Sequence, residues 1–184
     1  MKIGLFFGSF NPIHIGHVAI ANFMAGETDL EQVWLIVSPH NPHKDKDSLA
    51  DDRQRLQAVK MAIGKSSKIK VCDIEFHLPQ PSYTINTLRS LKKKFPRHKF
   101  VLIIGADNLK GFRKWKDYKK ILTSHDVYVY PRSGPGPKRL NGYPNVIPVA
   151  APPINVSSTF IRDQIKKGKD VHHLIPTGVR NETI

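Results

Sequence analysis

Apolar positions along this chain fall into two alternating patterns. Six short runs, Lys2 to Phe7, Val33 to Val37, Ile69 to Ile74, Phe100 to Ile104, Val127 to Tyr130 and Val146 to Val149, are rich in Val, Ile and Phe and mostly apolar throughout. Such runs suit strands covered on both faces of a sheet. Between them, apolar residues recur at helical spacing. Leu56, Val59 and Ile63 do so after Asp51 and Asp52, with Gly64 as the stop, and Ile85, Leu88, Leu91 and Phe95 do so up to Pro96. Residues 158 to 167 predict a last long helix, with Ser157 as N-cap and Gly168 as terminator. Strand then helix, repeated, predicts an α/β fold. We expect a single Rossmann-like, doubly wound domain over residues 1–184, with a mainly parallel sheet and helices on both faces. The Pro/Gly-rich stretch 131–144 reads as a surface loop rather than a linker. In such sheets ligands bind beyond the carboxyl ends of the strands, which says where to look for chemistry.

Composition narrows the classes. The 184 residues suffice for one sizeable core. No apolar run approaches the ~20 residues that span a bilayer, so no membrane partner is expected. The stretch Met1 to Phe7 is too short and too soon interrupted to be a signal peptide. Cys72 is the only cysteine, which excludes an intrachain disulfide, argues against thiolate-bound zinc, and fits a reducing, cytoplasmic setting. The net charge of +14 points to polyanionic partners. Its clusters, Lys92 to Lys94, Lys119-Lys120 and Lys166-Lys167, read as solvated helix faces.

Three suggestive motifs fail. Gly64-Lys65-Ser66 would need a further glycine at Val59 and a strand before it to be a phosphate loop. The glycines at 134 and 136 lack a third at Arg139, and the intervening prolines block a helix start. His40-Asn41-Pro42-His43 has no helix to align its imidazoles and no third ligand, so a surface loop is expected.

"GSFNPIHIGH", residues 8 to 17, survives. It follows the first strand. Gly8 allows a tight turn and close backbone approach to a ligand, Pro12 stiffens the loop, and a helix should begin near Ile15 to His17. The unpaired N–H groups of that helix, with its dipole, form an anion site. Gly16 removes a side chain where a phosphate or base could come close. His14 and His17 are expected on either side of the first turn, donating to one phosphate chain.

This stretch resembles the signature of the HxGH nucleotidyltransferase superfamily. Its second signature is matched by "VSSTFIR", Val156 to Arg162. There hydroxyls and N–H groups gather at a helix N-terminus, with a permanent cation one turn in. Three further segments, "SPHNPHK" (38–44), "PQPSYTINTL" (79–88) and "LIIGADNLKGFRKWKDYKKIL" (102–122), are similar to elements of the bacterial nicotinate mononucleotide adenylyltransferases. Together the segments cover essentially the whole chain in order. The resemblance implies transfer of the adenylyl group of ATP to nicotinate mononucleotide, in NAD biosynthesis, without a covalent intermediate. It implies ATP contacts from Gly8, Ser9, Phe10, His14, Gly16, His17, Gly105, Asp107, Ser157, Ser158, Thr159 and Arg162, with His14, His17 and Arg162 catalytic. Asn11, Lys44, Ser82, Tyr83, Thr84, Trp115 and Arg132 are implied for the nicotinate nucleotide.

These assignments make chemical sense residue by residue. Trp115 offers a face for a pyridine ring, and the N–H groups at Ser82 to Thr84 could receive a carboxylate. Asn11 stands where many bacterial members carry aspartate and lacks the charge of a metal ligand, so no protein metal site is expected. Mg2+ would arrive on the ATP phosphates. Two rival readings remain: the same chemistry on another acceptor, such as nicotinamide mononucleotide or phosphopantetheine, and a basic nucleic-acid module. No RNA-binding aromatic signature supports the latter, and no specific nucleic acid is expected. Homo-oligomerisation is left open.

Overall fold

The computed structural model describes residues 1–42, 49–132 and 143–179. Lys44, His43 and the glycines at 134 and 136 therefore lie outside the described residues. Six strands, β1 (Lys2–Gly8), β2 (Gln32–Val37), β3 (Ile69–Cys72), β4 (Lys99–Gly105), β5 (Asp126–Tyr130) and β6 (Val146–Pro148), form one sheet in the order β3-β2-β1-β4-β5-β6. Every pairing is parallel. Helices α1 (Ile15–Glu27), α2 (Asp52–Ile63), α3 (Thr84–Lys94), α4 (Ala106–Gly111), α5 (Tyr118–Ser124) and α6 (Ser158–Lys166) complete the described elements, with short 3₁₀ turns.

Side chains along a strand alternate between faces, and here both faces are buried. Phe6, Leu35, Val101 and Ile103 pack with Met24 of α1 and Val59 of α2 on one side. Ile3, Leu5, Ile36 and Leu102 pack with Leu88 of α3 and Ile121 of α5 on the other. That two-sided burial is why the strands read as continuous apolar runs. A third, small cluster holds Ile161 of α6 against Val171 and Ile175. Among the described residues no helix is long and apolar enough to cross a membrane.

The helix boundaries follow local chemistry. Asp51 caps α2, its carboxylate accepting from the N–H groups of Arg53 and Gln54 at 3.0 Å each, and Gly64 ends it at φ +56°. Three expected boundaries shift. The third strand stops at Cys72, because Ile74–His77 coils into a 3₁₀ turn that buries Glu75. The sixth stops at Pro148, with one last bond to its neighbour from the Val149 N–H to the Val129 carbonyl at 2.9 Å. The last helix ends at Lys166, and Gly168 closes it at φ +67° with its N–H on the Ile165 carbonyl.

The sheet order sets where a crevice opens. The chain winds outward from β1 to β3, returns to β4 on the other side of β1, and winds out again to β6. Beyond the carboxyl ends of β1 and β4 the connections part, which leaves room for a ligand.

Candidate active site

Two adjoining cavities lie at this end of the sheet. The larger is lined by the β1 loop, the ends of β4 and β5, and the start of α6. The smaller lies between the end of β2, the start of α3 and Trp115. Phe7 and Asn41 line both, so the two are neighbours.

The larger cavity brings together Gly8, Ser9, Phe10, His14, His17, Asp107, Ser157, Ser158, Thr159 and Arg162, all expected around ATP. The N-termini of α1 and α6 meet there, and neither first turn carries an acidic residue. The Ser157 hydroxyl caps α6 by accepting from the Phe160 N–H at 3.1 Å. Ser158 donates to the Pro12 carbonyl at 2.9 Å, tying the two signatures together. Arg162 reinforces that tie by donating to the Asn11 carbonyl at 2.6 Å.

The histidines do not flank the first turn as expected. His14 is the N-cap of α1 and His17 sits three residues on, and their rings stack with centroids 3.7 Å apart. The N–H of His14 donates to Nδ1 of His17 at 3.2 Å. A backbone N–H only donates, so Nδ1 of His17 is the acceptor nitrogen and the neutral ring carries its proton on Nε2. His14 is 1% exposed, and among the described residues neither ring nitrogen has a hydrogen-bond partner. Burial, with the Arg132 cation adding to it, pushes its pKa down to about 4, so the ring is neutral at pH 7.

At both glycines of this loop the space a side chain would take is filled by protein atoms. A Cβ on Gly8 would stand 2.8 Å from the Phe10 ring, and one on Gly16 would meet Ile154 at 2.9 Å and the His14 ring at 3.0 Å. Phe10 folds beneath Gly8, which itself lines the larger cavity, and the His14 ring lies over Gly16. Phe10 itself takes φ +46°. Gly105 follows the same pattern, since a Cβ there would run into Oδ1 of Asp107.

The smaller cavity gathers Ser82, Tyr83, Thr84 and Trp115. Tyr83 is the N-cap of α3 and makes no side-chain cap. Trp115 stacks on Phe112 at 4.6 Å, and Lys116 holds its ammonium 4.6 Å from the centre of the Tyr83 ring. Two residues expected here lie elsewhere. Arg132 lines the larger cavity, its Nε 3.5 Å from the Asp107 carboxylate. Asn11 lines neither, because its Oδ1 accepts from the Ala50 N–H at 3.2 Å behind the loop.

The cytidylyltransferase-like family matches residues 5–164. A probable nicotinate-nucleotide adenylyltransferase of Flavobacterium johnsoniae is 54% identical over 181 residues, covering 97% of this chain and 94% of that protein. One from Bacteroides fragilis is 44% identical, covering all of this chain and 91% of that one. This chain belongs to the nicotinate-nucleotide adenylyltransferase family. The fold agrees. A Plasmodium falciparum nicotinic acid mononucleotide adenylyltransferase complexed with NaAD superposes with TM-score 0.79 at 20% identity, covering 100% of this chain and 92% of that one.

Within this adenylyltransferase fold, several lining residues are ones the sequence did not single out. Tyr130 and Asn108 line the larger cavity, and burial pushes the Tyr130 phenol up to about 12. Ser38, Glu75 and Lys116 line the smaller one. Glu75 is 1% exposed and accepts from the Thr87 hydroxyl at 2.6 Å. Burial raises its pKa, against a lesser opposing effect of the neighbouring hydroxyls. Cys72 is half-buried and burial raises its thiol, so no activated thiolate arises there. Among the described residues no three His, Cys, Asp or Glu side chains could jointly hold a metal.

Proposed function

We propose that this chain transfers the adenylyl group of ATP to nicotinate mononucleotide, forming deamido-NAD and pyrophosphate. The observation that carries the reading is the pair of adjoining cavities. One has the donors of a polyphosphate site. The other has an aromatic face and an uncapped helix N-terminus, suited to a ring that bears a carboxylate. Their shared wall is where an attacking phosphate would meet the α-phosphorus.

The 5′-phosphate of the acceptor is already an anion at neutral pH, so no general base is required. It attacks the α-phosphorus in line, one P–O bond forms, and the bond to pyrophosphate breaks. The protein's part is alignment and charge stabilisation. Nε2–H of His17 donates to a phosphate oxygen, and the single N–H of the neutral His14 ring donates to the same phosphate chain. The N–H groups at the starts of α1 and α6, with Arg162, face the charge that builds on the leaving pyrophosphate. Arg132, paired with Asp107, belongs in this reading to the ATP side.

Asp107 is the one carboxylate among the described lining residues of the larger cavity. That donor set fits a magnesium ion held mainly by phosphate oxygens and water, which when bound offsets negative charge on the polyphosphate. On the acceptor side, Trp115 stacks on the pyridine, the N–H groups of the Ser82 to Thr84 turn receive the carboxylate, and Lys116 adds positive charge.

The test is pyrophosphate release with ATP and magnesium, comparing nicotinate mononucleotide, nicotinamide mononucleotide and phosphopantetheine, with His17→Ala as control. The expected result is strong preference for the nicotinate form, lost in the variant. Preference for the amide would overturn the carboxylate site, and no turnover would overturn the reading.

A further inference from the structure

Arg55 belongs to none of the motifs and lines neither cavity, yet it is 2% exposed and reaches four backbone carbonyls. Its Nε donates to Ala50 at 3.0 Å. Its Nη1 donates both to Ser9 at 2.6 Å and to Ser38 at 2.9 Å, and its Nη2 donates to Pro39 at 3.0 Å. These carbonyls lie on three segments that are far apart in sequence: the loop after β1, the loop after β2, and the turn that starts α2. The β1–β2 ladder ends where the Ser38 N–H meets the Gly8 carbonyl at 3.0 Å. Beyond that bond the two loops part, and the guanidinium fills the gap between them.

Ser9 lines the larger cavity and Ser38 the smaller. One nitrogen of Arg55 therefore holds a wall of each. Ala50 extends the link, because its carbonyl accepts from Arg55 while its N–H donates to Oδ1 of Asn11, whose own carbonyl accepts from Arg162. We propose that Arg55 is a positioning residue that fixes the spacing between the two substrate cavities, and so the alignment of the attacking phosphate with the α-phosphorus. The inference rests on the two-cavity reading above.

Buried guanidinium chemistry suits the task. The planar fork spreads five N–H donors in fixed directions, so it can hold diverging carbonyls at set distances. Burial pulls the pKa of Arg55 down, while Asp51 and Asp52 oppose the fall. A lysine keeps the charge but has three donors on one atom, and cannot bridge all four sites. In-line transfer is sensitive to displacements well below 1 Å. Losing the spacing should therefore cost turnover while each substrate still binds its own cavity.

The experiment compares Arg55→Lys and Arg55→Gln with the wild type. Affinity for ATP and for nicotinate mononucleotide would be measured separately by calorimetry, and kcat normalised to the folded fraction from near-ultraviolet circular dichroism. The expected result is kcat lowered roughly tenfold or more with both separate affinities within about threefold, and Lys less impaired than Gln. A kcat per folded molecule within twofold of wild type in both variants would overturn the proposal. So would failure of both to fold, since Arg55 would then hold the fold rather than the spacing. Absence of wild-type turnover would sink the two-cavity reading itself, and this inference with it.

Discussion

Acid titration of His14 offers a direct measurement of how its ring is held. Burial and the Arg132 cation bring its pKa from the ordinary 6.5 to about 4. The unfolded chain therefore takes up a proton on this residue between those values while the folded chain does not, and folded-state stability falls as pH drops through the window. The contribution is fully present above pH 6.5 and is lost on approaching pH 4. At about 1.4 kcal/mol per decade, the whole loss is roughly 3 kcal/mol. His14→Gln keeps a polar group of similar reach with nothing to titrate. Urea unfolding of both proteins, from pH 7 to 4.5, subtracts every other titrating group, including His125, whose burial also lowers its pKa. The wild type should lose about 2.5 kcal/mol more than the variant over that range. Saturating ATP should narrow the gap, because phosphate charge raises the imidazole pKa. Equal losses in the two proteins would show that His14 is not held as a buried neutral ring, and would undo the account of its unpartnered nitrogens.

Gly16→Ala places a methyl group 2.9 Å from Ile154 and 3.0 Å from the His14 ring. It should cost about 1–3 kcal/mol of stability and lower kcat/KM as the stacked imidazoles shift. Unchanged unfolding and kinetics would refute the packing role. For Glu75 the sign runs the other way: its pKa is raised in the fold, so its contribution is present below the ordinary 4.5 and lost as pH rises. Glu75→Gln should gain Tm relative to wild type between pH 5 and pH 8, and a pH-independent difference in thermal unfolding would show that Glu75 does not titrate as a buried acid.

Much of this molecule was written locally. Strand runs apolar at successive positions, helices begun at Asp51 and Ser157, and stops at Gly64 and Gly168 all follow from how a few neighbouring residues restrict the backbone. They sufficed for a parallel, doubly wound sheet, and the two phosphate signatures sit at its carboxyl end, where that topology places them. What escaped the sequence depends on atoms brought together across long separations. Arg55 reads as one more charged residue on a helix, and only the parting of the β1 and β2 loops turns it into a buried bridge. Gly16 reads as an opening for a ligand, but Ile154, far along the chain, takes part of that space. The pKa shifts of His14 and Glu75 are likewise largely tertiary, because desolvation depends on every segment packed around a group and not only on its neighbours in the chain.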